Sequence, residues 1–203
     1  MMATGHQVVG FTFGIGAMTL LPQVELMPES PFQTVLYLVF VLFGALIPDI
    51  DTPSSKLGQK FWRGIMLLFT LALLGFLFAP EFFDVYRQQL KFYVLLMLPI
   101  LIMVRSHRNM THSLLFLALL AVYSGIIERV FHVPLFLLTG FIIGAVSHLF
   151  ADFLTKKGIP IFFPFSKKYF RFPAAFKTGS VTEKALVSLL VLGNVWYLIV
   201  TIF

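Results

Sequence analysis

The sequence predicts an all-α protein, a polytopic transmembrane helical bundle of about six to seven membrane segments. Three observations carry that expectation: 59% of the 203 residues are hydrophobic, only 12% are charged, and the mean hydropathy is +0.93. A soluble domain of this size cannot bury so much apolar surface. No stretch has the composition of a separate soluble module, so residues 1–203 are expected to form one membrane-embedded domain. Residues 1–10 lack a basic leader region and a cleavage site, so no removable signal peptide is expected. Cysteine is absent, which excludes disulfides and thiolate ligands. Any metal must therefore bind through imidazole and carboxylate groups.

The low-charge segments run over residues 7–21, 32–48, 65–79, 92–104, 113–127, 133–151 and 185–203. Several fall short of the ~20 residues that cross hydrocarbon at full thickness. Flanking Lys and Arg can snorkel, so a span can start before its charge-free run. The first segment carries Gly10, Gly14 and Gly16 and reads either as a close-packed span or as a re-entrant piece. Residues 92–104 are the weakest span. They cross only if residues 85–89 join them while Arg87 and Lys91 snorkel.

Charge then sets orientation. With seven spans and the N-terminus inside, 12 basic residues fall on the cytoplasmic side and 3 (Arg87, Lys91 and Arg129) on the other. That bias satisfies the positive-inside rule. Deleting the fourth span would invert everything after it and place the basic stretch 156–184 outside. A re-entrant first segment would lower the count to six.

The chemistry-bearing residues lie at segment ends, and alternation of direction gathers them on one membrane face. His148 and Asp152, four apart on a helix, share a side and can hold a metal or hydrogen-bond each other. An ionisable pair near a span's end must face protein or a water-filled cavity. The run Arg105-Ser-His107-Arg108-Asn-Met-Thr111-His112 puts two imidazoles across a tight turn. Arg108 offers the planar cationic fork that suits phosphate or carboxylate, although Arg105 and Arg108 also read as ordinary topology charges. Pro48 and Pro53 bracket Asp49 and Asp51. On an extended chain, carboxylates two apart point the same way and can ligate metal, while capping is the plainer role. His6 opens the first segment and gains weight only from sharing the same face. His132, beside Glu128 and Arg129 on the predicted outer side, reads as an interface residue.

Residues 156–177 interleave Lys and Arg with Phe162, Phe163, Phe165, Tyr169, Phe170, Phe172 and Phe176. That mixture predicts an interfacial anchor for the lipid bilayer and its anionic lipids. The same residue types serve nucleic acid, but orientation and anchoring already explain the stretch, and no nucleic-acid partner is expected.

There is no His-Glu-x-x-His zinc-protease signature. The partial echo of histidine-nucleophile lipid phosphatases fails at Gly64, where that pattern requires Pro, and upstream of His148, where it requires Arg. Taken in order, His6, Pro48-Asp49-Ile-Asp51, His107-Arg108-x-x-Thr111-His112 and Ser147-His148-x-x-x-Asp152 form a distinctive set. It resembles the bacterial YdjM-type, LexA-regulated inner-membrane proteins described as metal-dependent hydrolases, over essentially the whole chain. The resemblance implies a hydrolase of the cytoplasmic (inner) membrane in which His and Asp at these positions bind metal.

The expected metal ligands are His6, Asp49, Asp51, His112, His148 and Asp152, around one or two divalent ions (Zn, Mn or Fe) at the cytoplasmic headgroup level. The ion would activate water. Arg108 would stabilise charge on a phosphoryl group, and His107 would bind phosphate or protonate the leaving group. The expected substrate is a phosphoester of a lipid or other amphipathic molecule. The alternatives are a transporter or flippase using the His/Asp set as an ion relay, and a non-catalytic membrane structural protein.

Overall fold

The computed structural model describes residues 1–21, 26–51, 56–87 and 110–202. Among them there is no β-strand, only the isolated bridges Thr155–Phe176 and Ile159–Phe170. The helices are α1 (Ala3–Leu20), α2 (Pro31–Gly44), α3 (Lys56–Phe78), α4 (Pro80–Val85), α5 (Leu114–Phe131), α6 (Leu135–Phe153) and α7 (Val181–Ile202). A 3-10 turn, Ile47–Asp51, follows α2. Among the described residues, five stretches are long and apolar enough to cross a membrane: Pro31–Asp49, Gly58–Phe78, Leu114–Phe131, Leu135–Phe153 and Val181–Thr201. The all-α bundle expected from the composition is what forms. The weak fourth segment, 92–104, lies outside the described residues.

The chain divides into two compact units, Met1–Pro48 with His112–Phe203, and Asp49–Thr111. In the first, α2 and α6 run parallel and very close. The contacts step by four residues on each helix: Gly140 lies against Tyr37, Gly144 against Val41, and His148 against Ala45. Glycine makes that approach possible. A Cβ at Gly144 would overlap the Val41 carbonyl oxygen, and one at Gly44 would overlap the Phe141 carbonyl. Small residues at such seams are how helices pack where lipid removes the hydrophobic drive between them. Tyr37, Val41 and Ala145 are fully buried along this seam.

Helix α1 runs antiparallel to both. The first segment is one uninterrupted helix of 18 residues, a rod of about 27 Å at 1.5 Å per residue. It packs closely through two of its glycines, although it is not among the stretches long and apolar enough to cross a membrane. Gly10 abuts Ala45 and Ser147, and Gly14 abuts Leu38 and Val41, while Gly16 has nothing within 4 Å. Helix α7 lies alongside α1 in the same direction. Asn194 Nδ2 donates to Thr12 Oγ1 (3.0 Å), and the Thr19 and Tyr197 hydroxyls are 2.6 Å apart.

The termini follow local chemistry. Ser30 caps α2, accepting from Gln33 N (3.3 Å) with Pro31 in the first turn, and Ser113 caps α5, accepting from Phe116 N (3.2 Å). His132 ends α5 in the left-handed conformation (φ 52°), its N–H donating to the Glu128 carbonyl at 2.8 Å. The outward faces are apolar, with Phe32 72% and Trp196 70% exposed. Leaving such a side chain in water forgoes roughly 1.5–3 kcal/mol, and hydrocarbon removes that cost.

In the second unit, α3 extends back through Lys60 and Arg63, as snorkelling allows, and Phe76 meets Phe83 edge-on at 5.8 Å. Arg87 pairs with Asp84 at 2.7 Å. Both side chains are two-thirds exposed, and a pair of that kind contributes about 0–1 kcal/mol. One expectation needs correction. Asp49 and Asp51 lie in a 3-10 turn, not an extended chain. Residues two apart in a 3-10 helix are rotated by about 240°, so the extended-chain reason for a shared direction is lost.

A candidate metal centre at one end of the first unit

Four predicted residues converge where α1 and α5 begin and α6 ends. His6 comes from the first turn of α1, His112 from just before the Ser113 cap, and His148 and Asp152 from the last turns of α6. Along α6, Gly140, Gly144, His148 and Asp152 follow at intervals of four. The face that packs tightly at mid-span is therefore the face that carries the polar groups at the end.

The seam fixes the state of His148. Its Nδ1 lies 2.7 Å from the Ala45 carbonyl oxygen, one of the carbonyls that a helix C-terminus leaves without an internal donor. A carbonyl only accepts, so Nδ1 is assigned the hydrogen and Nε2 presents a lone pair. That nitrogen faces His112 Nε2 at 3.3 Å and Asp152 Oδ2 at 3.8 Å, and His112 Nε2 is 3.5 Å from the same oxygen. These three residues form a group able to hold a metal ion. Ligands about 2.0–2.1 Å from one tetrahedral ion are separated by roughly 3.3–3.4 Å, close to the spacings found. The Nδ1–H···O=C contact is the outer-sphere bond that orients metal-binding imidazoles.

His6 completes the cluster from the other side. Its ring stacks on His148, with centroids 3.7 Å apart and planes 7° from parallel. Nε2 lies 3.3 Å from Asp152 Oδ1, within ion-pair range, yet neither ring nitrogen has a hydrogen-bond partner among the described residues. The side chain is fully buried. An unsatisfied buried polar group costs about 1–3 kcal/mol, so the site fits a cation that such a nitrogen can ligate. Asp152 divides its carboxylate accordingly. Oδ2 faces His112 and His148, while Oδ1 faces His6 and accepts from the Met1 amino group.

The match extends beyond geometry. The family model described as YdjM inner membrane protein aligns with residues 1–203. The chain belongs to the YdjM family. It is 28% identical over 199 residues to the inner membrane protein YdjM of Escherichia coli (strain K12), and equally to that of Shigella flexneri. Each of those alignments covers 97% of this chain and 82% of the relative. The uncharacterized protein YvsG of Bacillus subtilis (strain 168) is 29% identical over 166 residues, 82% of this chain and 80% of that one. No solved structure matches the chain. Membership in the YdjM family and the span-capable helices together make this a multi-pass inner-membrane protein.

Of the remaining predicted residues in this YdjM-family chain, Asp49 alone has a described side chain. Asp49 is half-buried at the start of the second unit, one residue after the buried Pro48. The side chain of Asp51 and the whole of His107 and Arg108 lie outside the described residues. His132 sits at the opposite end of α5 from His112, as its predicted position on the other membrane side requires.

Two participants escaped the motif reading. The Ala45 carbonyl is a backbone atom and left no trace in residue type. Glu183 is fully buried in the first turn of α7. Its Oε1 accepts from Met2 N (2.8 Å) and its Oε2 from Gly179 N (2.7 Å), while its own N–H donates to Ser180 Oγ (3.3 Å). It thereby ties the entry of α7 to the entry of α1, beside Gly5. The signal was present as Ser180-x-x-Glu183, a capping-box spacing.

Proposed function

We propose that this protein is a metal-dependent hydrolase of the inner membrane that cleaves a phosphoester of a lipid or other amphipathic substrate. The observation that supports it is the His112–His148–Asp152 group, with His148 oriented by a backbone carbonyl and a buried, unsatisfied His6 stacked upon it. These four residues hold the ion, Zn²⁺, Mn²⁺ or Fe²⁺ by donor type, with Asp49 and Asp51 as the sequence-derived additions. When bound, the ion supplies Lewis acidity that polarises a phosphoryl oxygen and makes water a nucleophile near neutral pH.

The chain's own groups do the rest. Asp152, half-buried among three imidazoles, supplies the negative charge that balances the ion and orients the rings around it. Arg108 holds phosphoryl oxygens in its guanidinium fork, and His107 protonates the departing oxygen. A site at helix ends lets an amphipathic substrate present its headgroup while its tails stay in hydrocarbon. A transport role draws less support: the mid-span positions of α6 on this face are Gly140 and Gly144, which offer no relay.

The test is release of phosphate or headgroup from phosphoester lipids in proteoliposomes, with and without added divalent ion. The expected result is ion-dependent cleavage that Asp152→Asn and Arg108→Ala abolish. Ion-dependent flux of an intact lipid, without cleavage, would establish the transporter instead.

A further inference from the structure

We infer that the connection between α6 and α7, residues 154–180, is a docking surface for anionic phospholipid headgroups, built beside the histidine cluster. It rests on the connection's own residues and stands whether or not the site hydrolyses anything.

Connectivity fixes its depth. Both α6 and α7 are long and apolar enough to cross the membrane, so the chain between them leaves and re-enters on one face. The backbone there is held in place. Phe172 N donates to the Phe153 carbonyl (2.9 Å), Phe176 N to Leu154 (3.1 Å) and Lys156 N to Phe176 (2.8 Å). Ile159 and Phe170 exchange both of their bonds (2.9 and 2.8 Å). Gly158 turns the chain at φ +67°, where a Cβ would strike the Phe170 carbonyl. Ile159 and Pro160 are buried, and the Ile161 carbonyl accepts from Leu114 N at 3.0 Å, two residues from His112. The segment is thus pinned beside the cluster at Ile161 and at Thr155, whose N and Oγ1 both donate to the Asp152 carbonyl (3.0 and 2.8 Å).

The side chains that this scaffold leaves outward are of two kinds. Phe165 is 91% exposed, and Phe162, Tyr169 and Phe172 are 44–49% exposed. Lys156, Lys157, Lys167, Lys168, Arg171 and Lys177 lie among them, all exposed, and residues 154–180 contain no Asp or Glu. A protein partner accounts for the aromatics, and counterions account for the lysines. An anionic bilayer surface accounts for both at once, with rings at the acyl boundary and cations at the phosphates.

The absence of cysteine makes the test clean. Full-length protein carrying Phe165→Cys with a nitroxide label is reconstituted into phosphatidylcholine vesicles containing or lacking phosphatidylglycerol. We expect oxygen to relax the label more than a water-soluble nickel chelate when phosphatidylglycerol is present. In detergent, the unlabelled protein should bind phosphatidylglycerol in preference to phosphatidylcholine. The triple variant Lys157→Gln/Lys167→Gln/Lys168→Gln should weaken that preference about a hundred-fold. Raised salt on the wild type should weaken it as well, independently of any effect of the substitutions on folding. Free access of the chelate, shielding from both reagents by a protein surface, or indifference to headgroup charge would each overturn the inference.

Discussion

The Nδ1–H of His148 donates to the carbonyl oxygen of Ala45 across 2.7 Å. That single bond joins the packing of the membrane core to the chemistry at its end. It exists because α2 and α6 touch at glycines four and eight residues away, and it leaves Nε2 of His148 free of its hydrogen and facing His112 and Asp152.

Packing at Gly144 should therefore control metal content. Gly144→Ala places a methyl group on the Val41 carbonyl and forces the helices apart. The expected cost is about 1–3 kcal/mol of stability, typical of overpacking, together with loss of bound metal. Gly125→Ala is the control: nothing lies within 4 Å of its Cβ position, and thermal unfolding and metal content should be unchanged or slightly improved.

Glu183 should matter to stability without being a ligand. Glu183→Ala strands the Met2 and Gly179 amides in a buried place, and hydrogen bonds to a charged group contribute about 1.5–3 kcal/mol. A drop in melting temperature is expected in detergent. Glu183→Gln keeps one acceptor and should fall between. Equal melting temperatures for all three proteins would remove the tie from the account.

The histidines should separate by position. Asp152→Asn preserves shape but removes the charge that His6, His112 and His148 surround, so metal affinity should fall by at least the roughly 10–100-fold that loss of an outer-shell partner costs. His132→Gly should leave metal content intact and gain up to about 1 kcal/mol, because glycine suits the left-handed end of α5. Metal loss in the His132 variant would misplace the site.

Much of this was legible in the sequence because the signals were periodic or sparse. Long apolar runs gave the helices, and charge at their ends told which helices cross further than their uncharged cores. His6, His112, His148 and Asp152 could be gathered from alternation of direction alone, since helices crossing a membrane have only two ends. The extended reading of Asp49 and Asp51 failed because two prolines mark a break in a helix without specifying what replaces it, and here that is a 3-10 turn. Ala45 was invisible because its contribution is a carbonyl that every residue owns. Glu183 carries only a capping-box spacing in the sequence, and its burial against the start of a neighbouring helix is what makes it structural.

On the proposed function, His112, His148 and Asp152 with His6 bind a divalent ion. Elemental analysis of the detergent-purified wild type, beside His112→Ala and His148→Ala, tests it most directly. Stoichiometric Zn, Mn or Fe is expected in the wild type, with its loss from both variants while they remain monodisperse. Wild-type protein without metal after reconstitution, or variants that retain it in full, would exclude a metal centre at these residues.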